Sequence, residues 1–108
     1  MHEPTRPDAS KWLPRLIAAR AAMRQAAEET ALAADELRRY QKFARPGQPS
    51  AHIVQLRQKQ AAARQASARA KQAFLKAALE FTRDAGLIPP PRVTLEAFVL
   101  GWLDSRNP

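Results

Sequence analysis

Cysteine is absent from this 108-residue chain, which excludes a disulfide framework, a thiolate metal site and a cysteine nucleophile. The absence is compatible with a reducing compartment, and the cytoplasm is the expected location. No uninterrupted apolar run approaches the roughly 18 residues of a membrane-spanning helix, and Met1–Asp8 has neither the apolar stretch nor the cleavage site of a secretory signal. No membrane association is expected. Glycine is scarce, with three in the chain, so there is no phosphate-cradling loop and no Gly-x-Ser-x-Gly elbow.

Histidine is as sparse. His2 and His52 are the only two, and no Glu-x-x-His or His-x-x-x-His spacing exists to hold a metal. The carboxylates Glu28, Glu29, Asp35 and Glu36 share one helical stretch, but acid–base work needs a pocket that perturbs their pKa values, and an alanine-rich helix offers none. The expectation is a protein that is not an enzyme, with no cofactor, no metal and no small-molecule substrate. Aromatics are only 6% of the residues, so the side-chain volume available to a core is small despite a 45% hydrophobic content dominated by alanine.

What is present is helix-forming sequence. Ala, Leu, Arg, Lys, Gln and Glu fill positions 15–80, and these are the strongest helix formers. Residues 1–9 read as a flexible tail, and 10–108 as a single helical domain. One helix is expected over about residues 13–44, because Pro14 disfavours helical geometry in Leu13 and sets the start. The segment Arg45-Pro46-Gly47-Gln48-Pro49-Ser50 breaks it and supplies Ser50 as the next N-cap. A second helix follows over residues 51–85, with Gly86 as its C′ glycine. Pro89-Pro90-Pro91 reads as a stiff extended spacer. A third, short helix runs from Leu95 to about residue 103, capped by Thr94.

So short a connection permits only an antiparallel return. The fold class is all-α: a long Ala-rich, coiled-coil-like helical hairpin with a short C-terminal helix. Heptad spacing places Trp12, Leu16, Ala19, Met23, Ala26, Thr30, Ala33, Leu37 and Tyr40 on one stripe. The matching stripe is Ile53, Leu56, Gln60, Ala63, Ser67, Ala70, Phe74, Ala77 and Phe81. A register in which Leu16 opposes Ala77 sets large residues against small ones and brings Arg15 to Glu80 and Glu36 to Lys59. The middle of this seam offers little apolar area, so a second copy is expected to cover it in a homodimeric four-helix bundle, with Met23, Thr30, Gln60 and Ser67 as interface candidates. The C-terminal helix shows Leu95, Phe98, Val99 and Trp102 at helical spacing, and is expected to dock on Leu13, Ile17, Leu75 and Leu79.

Charge is the most informative feature. Lys and Arg number 18 against 10 acidic residues, giving +8 and a pI near 11.1. Residues 51–79 carry Arg57, Lys59, Arg64, Arg69, Lys71 and Lys76 with no acid among them. Arg57, Arg64 and Lys71 fall on one heptad ridge, expected to lie against Ala34, Ala27 and Arg20, with Arg24 nearby and no acidic partner within the hairpin. Such cations suit the nucleic-acid backbone, where contacts need charge rather than base-edge chemistry. Arg20, Arg24, Arg57, Arg64, Arg69, Lys71 and Lys76 are therefore the candidate nucleic-acid contacts. The competing expectation is a helical adaptor or chaperone-like module whose cations meet an acidic protein.

Overall fold

A computed structural model describes residues 11–42, 47 and 50–106 of the chain. Among them the regular structure is entirely helical: α1 is Leu13–Gln41, α2 is Ala51–Ala85 and α3 is Leu95–Arg106. The expected N-terminal tail and most of the α1–α2 connection, including residues 43 and 44 anticipated for the first helix, lie outside the described residues, and Lys42 already stands in a turn.

The local signals act as anticipated at three ends. The Ser50 hydroxyl accepts the backbone N–H of Ile53 at 3.2 Å, and the Thr94 hydroxyl accepts that of Ala97 at 3.1 Å, each satisfying a donor that the first turn leaves without a helical partner. At the C-terminus of α2, Gly86 takes φ +67°. Leu87 N–H reaches the carbonyl of Thr82 at 2.9 Å and Gly86 N–H that of Arg83 at 3.3 Å, the paired bonds of a Schellman cap.

Two expectations change. The spacer ends in a turn: Pro89 and Pro90 stand outside regular structure, but Val93 N–H bonds the carbonyl of Pro90 at 3.2 Å, closing a turn over Pro91 and Arg92 in which Arg92 takes φ +71°. A left-handed residue is what folds the chain back so soon after three prolines. The third helix also continues to Arg106. Ser105 donates to the Trp102 carbonyl at 2.8 Å, and the Arg106 guanidinium lies 4.3 Å from the Trp102 ring centroid, so the last turn has its own contacts.

Contacts divide the chain into two compact units, residues 1–21 with 71–108, and residues 22–70. Both long helices contribute to each. In the first unit α1 and α2 run antiparallel, with Trp12 Nε1 donating to Asp84 at 2.8 Å and Arg15 paired with Glu80 at 3.5 Å. Leu16, Phe74, Ala77, Ala78, Phe81, Val99 and Leu103 are buried. In the second unit, taken by itself, α1 and α2 are also antiparallel, with Lys59–Glu36 at 3.2 Å, Thr30 Oγ1 donating to the Ala63 carbonyl at 3.2 Å, and an edge-to-face contact of Tyr40 with His52. Its buried apolar residues include Leu37, Ile53 and Leu56, which form one cluster. Both charge pairs that the heptad register predicted are present.

The docking of α3 departs from expectation. Ile17 and Leu79 remain 40% and 42% exposed, so the Leu13, Ile17, Leu75 and Leu79 patch is not closed over. The inward stripe of α3 is Val99 and Leu103, and Trp102 is only half-buried, its ring tilted against Phe81 at 4.6 Å. On this face Asp104 pairs with Arg20 at 2.9 Å, and the Glu96 carboxylate lies 3.7 Å from the Lys71 ammonium.

Candidate nucleic-acid interface

The basic character of α2 originates in its sequence, and α1 offsets it only in places. In the 22–70 unit, α1 contributes Glu28, Glu29, Asp35 and Glu36, whereas the α2 portion contributes cations alone. Lys59 is matched by Glu36 and Arg38 by Asp35. Arg24, Arg57, Arg64 and Arg69 are exposed, and no carboxylate pairs with them among the described residues. Arg57 and Arg64 stand seven residues apart on one helix, about 10 Å along its axis and on nearly the same azimuth. Gln58 and Gln65 follow them in sequence and are exposed too.

The remaining candidates belong to the other unit and are not equivalent. Arg20 is buried, at 6% exposure, and spends its guanidinium on Asp104; it is part of the packing of α3. Lys71, third on the heptad ridge, is exposed but lies 3.7 Å from the Glu96 carboxylate. The sequence places its acidic partner outside the hairpin, so a hairpin register alone does not reveal it. Lys76 is exposed and pairs with no carboxylate among the described residues. The row of seven is thus reduced: Arg57 and Arg64 keep the ridge geometry, and Arg24, Arg69 and Lys76 lie open elsewhere.

A further cationic surface escaped the heptad argument. Asp35, Arg38, Arg39 and Lys42 line a shallow polar hollow of about 200 Å³ at the C-terminal end of α1. Arg38 and Arg39 stand in the last turn, where cations suit the negative end of the helix dipole. Its sequence signal is the run Leu37-Arg38-Arg39-Tyr40-Gln41-Lys42, which lies at the end of α1 and outside the acid-free helix.

The four interface candidates all sit on the seam of the 22–70 unit. Met23, Thr30, Gln60 and Ser67 are half-buried, and the Thr30 hydroxyl bonds the carbonyls of Ala26 and Ala63. Among the described residues no three His, Asp or Glu side chains gather as a metal site, and no helix is long and apolar enough to cross a membrane. The chain matches no protein-family model, and no curated protein or solved structure matches it.

Proposed function

We propose that this chain is a non-enzymatic accessory protein that presents the cations of α2 to nucleic acid as a homodimer, in the cytoplasm. The observation that carries the reading is the contrast along α2: Lys59 is neutralised by Glu36, while Arg57 and Arg64 stand a heptad apart, exposed and without a carboxylate partner among the described residues. Nucleic acid is a suitable ligand because a duplex offers a phosphate charge every ~1.7 Å of its axis, so two fixed cations find partners without matching a particular sequence. The exposed Gln58 and Gln65 add neutral hydrogen-bonding reach beside them.

The test is fluorescence anisotropy with duplex DNA, duplex RNA and single strands across a salt series. Two ridge cations per chain predict a log–log slope of about −2 per chain on duplex DNA. No binding at low salt, or affinity indifferent to salt, would sink the reading.

A helical adaptor is the second reading, and the open apolar residues of the other unit favour it. Ile88 is 87% exposed, and Ile17, Leu79 and Val93 are 40–42% exposed, apolar surface open to a partner chain. A single stoichiometric protein partner retained at high salt would move this reading ahead.

A further inference from the structure

The 22–70 unit has an open apolar groove on the side of its seam away from Arg57 and Arg64. Its volume is about 430 Å³, and its walls are Glu29, Leu32 and Ala33 of α1 with Lys59, Ala62 and Ala66 of α2. Leu32 is 67% exposed, an unusual position for a leucine on a helix that buries Ala33 beside it. Residues two apart on a helix point about 160° away from each other, so Arg57, two before Lys59, and Arg64, two from both Ala62 and Ala66, face away from this groove.

We propose that the groove is where a second copy of this chain docks, each Leu32 resting on Ala62 and Ala66 of the other copy around a two-fold axis parallel to the helices. The inference deepens the homodimeric part of the reading above and is independent of the nucleic-acid part. It moves the interface from the seam residues Met23, Thr30, Gln60 and Ser67 to the face beside them.

Level, size and charge select that arrangement. Thr30 contacts Ala63 and Glu36 pairs with Lys59, so Leu32 stands level with Ala62 across the hairpin. An axis parallel to the helices lays α1 of one copy on α2 of the other at the same level. The large Leu32 then meets the small Ala62 and Ala66, which permit close approach. On this face α1 carries Glu29 and Glu36, and α2 carries Lys59 and Arg69. Glu29 has no cationic partner among the described residues, its carboxylate accepting only the Gln25 amide at 3.3 Å. Arg69 is about one helical turn from the level of Glu29, within reach of a guanidinium. An axis perpendicular to the helices would stack α1 on α1 and α2 on α2, setting acids against acids and cations against cations, which disfavours it. The contact is isologous, closing at two copies.

Sedimentation equilibrium of the full chain over a concentration series is expected to show a dimer. Leu32→Glu should weaken it by at least about tenfold in Kd while circular dichroism retains the helical signal, since Leu32 is already solvent-exposed. Arg69→Glu should weaken it as well, and adding Glu29→Arg should restore it. Mixing Leu32→Cys with Ala62→Cys chains under mild oxidation should give cross-linked heterodimers in preference to either homodimer. A monomeric wild-type chain would overturn dimerisation itself. A dimer indifferent to Leu32→Glu, or cross-linked equally well by Leu32→Cys alone, would overturn this interface and leave dimerisation standing.

Discussion

The Arg20 guanidinium donates to the Asp104 carboxylate at 2.9 Å across 84 positions of sequence, joining the first helix to the last. Its burial is unequal: the Arg20 side chain is 7% exposed and that of Asp104 66%. The arginine therefore depends on its partner more than the aspartate does. Removing the carboxylate leaves a charge in a part-buried position with nothing to answer it. Asp104→Ala is expected to cost about 1–3 kcal/mol in urea denaturation. Adding Arg20→Met should recover part of the loss, because an apolar chain of similar length needs no counter-charge. A silent Asp104→Ala would mean that the other contacts of α3, Val99 and Leu103 in the core, Trp102 on Phe81 and Glu96 near Lys71, hold it without the Arg20 pair.

Phe81 and Trp102 separate by burial rather than by size. Phe81 is fully buried and Trp102 half-buried against it. Phe81→Ala should cost about 3–5 kcal/mol. Trp102→Ala, despite deleting the larger ring, should cost about half as much, since part of that ring is already in contact with water. Thermal melts of the two variants check the order. Equal losses would place the Trp102 ring deeper than its half-burial allows.

Two backbone positions make opposite predictions. Gly86 and Arg92 both take positive φ, a region that costs a side-chain-bearing residue about 1–2 kcal/mol. A Cβ added at Gly86 meets nothing within 4 Å, so Gly86→Ala should lose about 1 kcal/mol by conformation alone. Arg92→Gly should gain a few tenths of a kcal/mol, the relief of strain being partly offset by the greater freedom of glycine in the unfolded chain. Calorimetry on the pair reads both signs.

Much of this was legible in the residues. Ser50, Gly86 and Thr94 announce helix ends by chemistry that acts within four residues, and the heptad stripe fixed a register whose Arg15–Glu80 and Lys59–Glu36 pairs are present. The docking face of α3 was legible only in part. Of the expected stripe Leu95, Phe98, Val99 and Trp102, Val99 is buried and the other three are half-buried, while Leu103, outside that stripe, is the second buried residue. Hydropathy along a 12-residue helix leaves its rotation undetermined, and the charge contacts on its docking face, Arg20 with Asp104 and Lys71 with Glu96, join residues far apart in sequence. The candidate site was half legible for the same reason: Arg57 and Arg64 follow from spacing, whereas the occupancy of Arg20 and Lys71 depends on where α3 comes to rest.

That division supplies controls for the Arg57–Arg64 ridge. A cation already paired with a carboxylate must break that pair to meet a phosphate, so it contributes less to counterion release than an open one. Arg57→Gln with Arg64→Gln should lower the affinity for duplex DNA at low salt and reduce the log–log salt slope by about 2 per chain. Lys71→Gln should change the slope by less than either arginine, because Glu96 stands beside it. Arg106→Gln removes a charge whose guanidinium lies over Trp102, and should leave the slope nearly unchanged. Arg57 and Arg64 are exposed, so glutamine at both preserves helix and packing, and circular dichroism with a thermal melt should match the wild type. Anisotropy at four salt concentrations on the variants separates the two explanations: unequal slopes in this order locate the ligand on the Arg57–Arg64 ridge, whereas equal losses per charge removed mean that the +8 of the whole chain attracts it without a site.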